Sequence, residues 1–141
     1  MGYTHYFQLH NQPSEEGWTN FIKGVRQLLE QAWDIDIEGV INNEAINLNG
    51  VGEESHEAFL FNKTNNEWVF CKTAQKPYDK VVTSILILAK YLFPTMYLRS
   101  DGNWEEWREG RELFKEVFYL EPAEGTVFDK IEAIYETRSY A

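Results

Sequence analysis

The chain has 141 residues, a formal net charge of −10, 43% apolar residues and 16% aromatic ones. That is enough for one domain with a hydrophobic core, and too apolar for a disordered protein. The charge opposes non-specific nucleic-acid binding and adsorption on anionic membranes. No apolar run approaches the length of a membrane span, the first residues lack the plan of a signal peptide, and a single cysteine excludes an internal disulfide framework and a Cys-rich zinc site. The expectation is a cytoplasmic protein with no membrane and no direct nucleic-acid partner. A small anionic ligand or a basic protein partner stays compatible with the charge.

Gly2–Leu9 is rich in aromatic and β-branched residues and predicts a first strand, with Tyr3, His5 and Phe7 on one face. Ser14 is placed to cap a helix whose first turn carries Glu15 and Glu16, and Trp18, Phe21, Ile22, Val25, Leu28, Leu29 and Ala32 follow at helical spacing. Short strands are expected at Ile37–Ile41, Ala45–Leu48, Ala58–Phe61 and Glu67–Cys71. Asn42-Asn43 and Asn65-Asn66 stand where hairpin turns belong, because asparagine tolerates positive φ. A polar glycine loop, Asn49–Glu57, separates the middle two strands. Pro77 is read as the first residue of a helix ending before Pro94, apolar over most of its surface from Val81 to Leu92.

A strand at Met96–Arg99 and a turn at Ser100-Asp101-Gly102 come next. Asn103 is read as the cap of a helix bearing Trp104, Trp107, Leu113, Phe114, Val117 and Phe118. Pro122 and Gly125 mark a break before a last helix, Thr126–Arg138. This order gives an α+β fold: a small, mainly antiparallel sheet packed by about three helices, with an additional C-terminal helix. Residues 1–120 form the domain, and residues 121–141 an extension whose apolar face must be buried in cis or across a homodimer.

The opening Met1-Gly2-Tyr3-Thr4-His5-Tyr6 resembles that of a family of small, largely uncharacterised proteins of bacteria and their phages. The likeness continues in Asn49-Gly50 with Glu54–Phe59, in Phe70–Asp79 and in Ser100–Trp104, and spans roughly residues 1–118; the tail beyond Phe118 departs from it. The resemblance implies no established activity. A phage link would suit ligand sequestration in a defence conflict.

Charge singles out one segment. From Lys63 to Arg99 there are six basic residues (63, 72, 76, 80, 90 and 99) against Glu67 and Asp79, a positive island in an acidic chain. Lysines 72 and 76 before a helix N-terminus can hold a phosphate or carboxylate, and Tyr78 could stack on a base; alternatively the lysines only solvate a loop. The glycines of a phosphate-binding loop are missing. Adjacent Ser55 and His56 cannot form a dyad, because neighbours on a strand face opposite ways, although His56 and Glu57 could act separately. The three histidines offer no metal-ligand spacing. Cys71, beside Lys72, is either a lowered-pKa thiol or a small core residue.

The first expectation is therefore a non-enzymatic binding protein without a cofactor. Its polar–aromatic pocket for a small anionic, nucleotide-like ligand would be lined by Tyr3, His5, Ser55, His56, Glu57, Lys72, Lys76, Tyr78 and Asp101. The alternative is an acidic module for protein interaction or nucleic-acid mimicry, and after it a small hydrolase or transferase using His56.

Overall fold

The structure is a computed structural model and describes residues 2–64 and 67–129. In chain order the elements are β1 (Thr4–Gln8), α1 (Glu15–Gln31), β2 (Ile37–Ile41), β3 (Ala45–Gly50), β4 (Phe59–Asn62), β5 (Val69–Lys72), α2 (Asp79–Leu92), β6 (Tyr97–Ser100), α3 (Arg108–Phe118) and the short α4 (Glu124–Val127). The fold is α+β. Its strands are divided between two antiparallel sheets, β5-β1-β6 and β2-β3-β4.

The first sheet is assembled from distant parts of the chain. In β1, His5 lies opposite Cys71 on one side and Ser100 on the other. Tyr3, His5 and Phe7 are buried while Thr4, Tyr6 and Gln8 are half-buried, as the alternation of side chains requires. The second sheet is a meander of neighbours, β2 with β3 and β3 with β4. The Asn42 carboxamide accepts from the amides of Glu44 and Ala45 and closes its first hairpin. The Asn65-Asn66 turn lies outside the described residues.

The helices fill the space between. Ser14 Oγ accepts the Gly17 amide at 2.9 Å and starts α1 as the sequence predicts. Every residue of α2 from Val81 to Lys90 is buried, because α1 and α3 both pack against it and β6 touches it. The close approach to α3 uses Gly110: a Cβ there would lie 1.9 Å from Thr83 Oγ1.

Two helix starts differ from expectation. Pro77 precedes α2 by two residues, and the chain enters through tight turns in which Asp79 N and Lys80 N donate to the carbonyls of Lys76 and Pro77. Asn103 exchanges hydrogen bonds with Glu106, Asn103 N to Glu106 Oε1 at 3.0 Å and Glu106 N to Asn103 Oδ1 at 2.9 Å. This reciprocal cap starts a single turn at 104–107, and α3 follows from Arg108.

Residues 127–129, at the end of the short α4 turn and just after it, pack against the domain. Val127 is buried, and Phe128 sets its ring edge-on against Trp107 at 4.7 Å. Asp129 borders β6, its amide donating to Leu98 O and its carboxylate accepting Leu98 N. The same carboxylate pairs with the buried Lys90 ammonium at 2.9 Å. Of the helix expected at Thr126–Arg138, residues 130–138 lie outside the described residues.

Candidate functional site

Around β1, three of the singled-out segments meet on one buried histidine. His5, 0% exposed, has Nδ1 2.7 Å from Ser100 Oγ and Nε2 2.6 Å from Asp79 Oδ1. Thr73 Oγ1 donates to the same Asp79 oxygen at 2.6 Å. Ser100 Oγ accepts from Trp107 Nε1 at 3.1 Å and from Gly102 N at 2.9 Å. Those two donors occupy both lone pairs of the hydroxyl, so its own proton points to His5 Nδ1. Nε2 therefore carries the imidazole hydrogen and donates it to Asp79. The rings of Tyr3 and Trp107 stand edge-on to the imidazole at 5.3 and 5.2 Å and complete its enclosure.

Local backbone explains how Thr73 and Asp79 converge. Ala74 and Gln75 both have positive φ, 53° and 56°, and reverse the chain between β5 and α2. The N-terminal end of α2, read from sequence as a ready anion site, already holds the protein's own anion, the carboxylate of Asp79 in its first turn.

The remaining expected residues are spread around this core. Ser55 Oγ donates to Gly52 O at 2.6 Å inside the glycine loop, and the His56 side chain is exposed on the same loop. The Glu57 carboxylate accepts Lys72 N at 2.8 Å and its backbone amide donates to Lys72 O, which continues pairing beyond β5. Asp101 ties β6 to β1 by accepting from Thr4 N and the Tyr6 hydroxyl. Tyr78 is 1% exposed and donates to Glu57 O at 2.5 Å, so it offers no face to a stacked base. The Tyr3 hydroxyl is buried without a hydrogen bond of good geometry, although Gln75 lies near enough to favour its ionised form.

Cys71 is a core thiol. Burial first, then the charges of Glu57 and Asp79, push it from an ordinary 9.0 up to about 12, opposite to the lowering that Lys72 suggested. The phenols of Tyr3 and Tyr78 are also raised, chiefly by burial. Each group titrates in the unfolded chain before it titrates in the folded one. Stability should therefore be intact below about pH 9 and fall as pH climbs toward about 12. Urea unfolding across this range checks the sign, and iodoacetamide should leave native Cys71 unmodified at about pH 8.

The positive island is partly cancelled by the fold. Lys63 is buried against Glu15, and Lys90 against Asp129. Arg99 lies over the Tyr6 ring at 5.7 Å. Lys76 and Lys80 instead line a cleft of about 450 Å³ together with Gln75, Asp79, Glu106, Glu109 and Asp34. Both lysines are half-buried, and among the described residues neither forms an ion pair. Two of the four carboxylates are already engaged, Asp79 by His5 and Thr73, Glu106 by Asn103 N. Among the described residues no three His, Cys, Asp or Glu side chains are grouped to hold a metal ion.

Sequence reasoning placed His5 in the candidate set but left Asp79, Ser100 and Trp107 outside it. The turn Ser100-Asp101-Gly102 was the available signal. Compared with protein-family models, curated proteins and solved structures, the chain matches none.

Proposed function

We propose that this is a non-enzymatic binding protein whose ligand site is the cleft in front of α2. The observation that carries the reading is the pair of half-buried lysines, Lys76 and Lys80, without carboxylate partners among the described residues, in a cleft that also presents Asp34 and Glu109. A ligand that fits has an anionic group for the lysines and hydrogen-bond donors for the carboxylates. A nucleotide with an amino-bearing base is such a molecule. The Ser100–His5–Asp79 relay lies behind the cleft and holds the start of α2 in place. Its serine is a poor nucleophile, since both Oγ lone pairs accept N–H groups and the imidazole is sealed in the core.

Calorimetric titration with a panel of nucleoside monophosphates tests this. The Lys76→Ala/Lys80→Ala protein should bind the best ligand about tenfold more weakly or worse, because charge-assisted contacts are lost. Unchanged affinity in the folded double variant would exclude the cleft as the anion site.

A further inference from the structure

A second cavity adjoins the first, with Ile35 lining both, and the proposed ligand site does not explain it. Between the end of α1 and β2 is a hollow of about 390 Å³, walled by Leu29, Ile37 and Ile41 with Leu48 at its base. Gly39 contributes no side chain between the two isoleucines. It also cannot be replaced, since φ is +144° and a Cβ would meet Asn47 O at 1.9 Å. Trp33 lines the hollow with 83% of its surface exposed; among the large apolar side chains of the described residues Tyr119 alone is more exposed.

Three further observations say what would cover it. β2 is the outer strand of its sheet, and no described strand pairs with its free side, where Arg26 donates to Ile41 O at 3.2 Å. From Glu30 to Glu38 the chain carries Glu30, Asp34, Asp36 and Glu38, all exposed, and no basic residue. Glu30 lies in the last turn of α1, which has no basic residue, and Asp34 follows three residues after its end; there the helix dipole is itself negative and disfavours acids. An incoming cation would relieve that repulsion. A second copy of this chain would bring the same acids and add to it.

The geometry points to a docking surface for an extended, basic segment of another protein, which adds a strand to β2, seats one apolar side chain in the hollow under Trp33, and lays Lys or Arg against the acidic rim. Main-chain pairing supplies affinity at a sheet edge, and pockets for alternate side chains supply specificity. The hollow and the cleft share Ile35, but Trp33 and Glu38 line only the hollow and Lys76 and Lys80 only the cleft, so variants at these positions tell the two apart.

The test uses the full chain and a labelled synthetic peptide alternating Lys with Val and Ile, read by fluorescence anisotropy and by hydrogen exchange of the 37–41 amides. Binding is expected with protection of those amides, and weakening as salt is raised. Trp33→Ala and Glu38→Lys should each weaken it about tenfold; both positions are exposed, so both variants fold. A peptide of equal charge alternating Lys with Ser should bind at least about tenfold more weakly. Equal binding of the Ser peptide, or unchanged binding to Trp33→Ala, would reduce the effect to bulk charge and overturn the proposal. So would no binding at all, or a dimer of the free protein that Trp33→Ala dissolves, which would assign the hollow to a second copy.

Discussion

Asp79→Ala should cost about 3–5 kcal/mol of folding stability, as expected when one member of a buried polar pair is removed. The side chain of Asp79 is 13% exposed, and its Oδ1 is the acceptor for both His5 Nε2 and Thr73 Oγ1. Without it two buried donors lose their acceptor. The first turn of α2 also loses the acid that complements its dipole, a smaller contribution of about 0.3–1 kcal/mol. Asp79→Asn keeps an oxygen acceptor in place and should lose less. Urea unfolding midpoints at constant slope measure the difference. If Asp79→Ala came within about 1 kcal/mol of the parent, the relay would not organise this core. Nitrogen-15 shifts of His5 test the same network differently, since they should report a protonated Nε2 and a bare Nδ1.

The second large loss is expected at the crossing of α2 and α3. Gly110 sits so close to α2 that a Cβ would fall 1.9 Å from Thr83 Oγ1, 2.7 Å from Thr83 Cβ and 3.1 Å from Ser84 N. Thr83 is 1% exposed, and its hydroxyl is held by the Asp79 and Lys80 carbonyls, so it has no free space to turn into. Alanine in place of glycine gains about 1 kcal/mol of helix propensity. Overpacking costs about 1–3 kcal/mol, so Gly110→Ala should be modestly destabilising and Gly110→Val should lose about 3 kcal/mol. Thermal unfolding resolves this at roughly 4 °C per kcal/mol. A valine variant as stable as the parent would mean that the two helices separate without penalty.

Strong periodicity and explicit stop signals made most of the fold legible in the sequence. Ile37–Ile41 was read with its observed bounds, and Ser14 does cap α1, because a pattern that follows one period and ends at a capping residue leaves few alternatives. The division into two sheets was less visible, since nothing local to β1 says that its partners are β5 and β6. Helix starts were misread where side chains had other commitments. Pro77 looked like a first helical residue, but Lys76 and Pro77 supply the carbonyls of the tight entry turns.

The site was legible in part, and for a physical reason. A count of charges treats every lysine alike, whereas the fold buries Lys63 and Lys90 against carboxylates and leaves Lys76 and Lys80 at a cleft. Likewise Tyr78 carries a polar tip that a sequence reader places at the surface, while the structure satisfies that tip with a single backbone carbonyl and buries the ring. Ser100 was flagged only as part of a turn. Its role depends on lying opposite His5 across the sheet, and register of that kind is a long-range property.

The placement of β1 also bears on how the chain reaches this structure. β1, the first of the described strands, is the central strand of its sheet, yet its partners begin at Val69 and Tyr97. The meander β2-β3-β4 can close on itself early through contacts between neighbours, whereas pairing of β1 requires long loops to close and is intrinsically slow. While α2 and β6 are still to be synthesised, Tyr3, His5 and Phe7 form an unpaired strand with one sticky face. That interval is when this protein is most exposed to aggregation, and when a holding chaperone would do most for its yield.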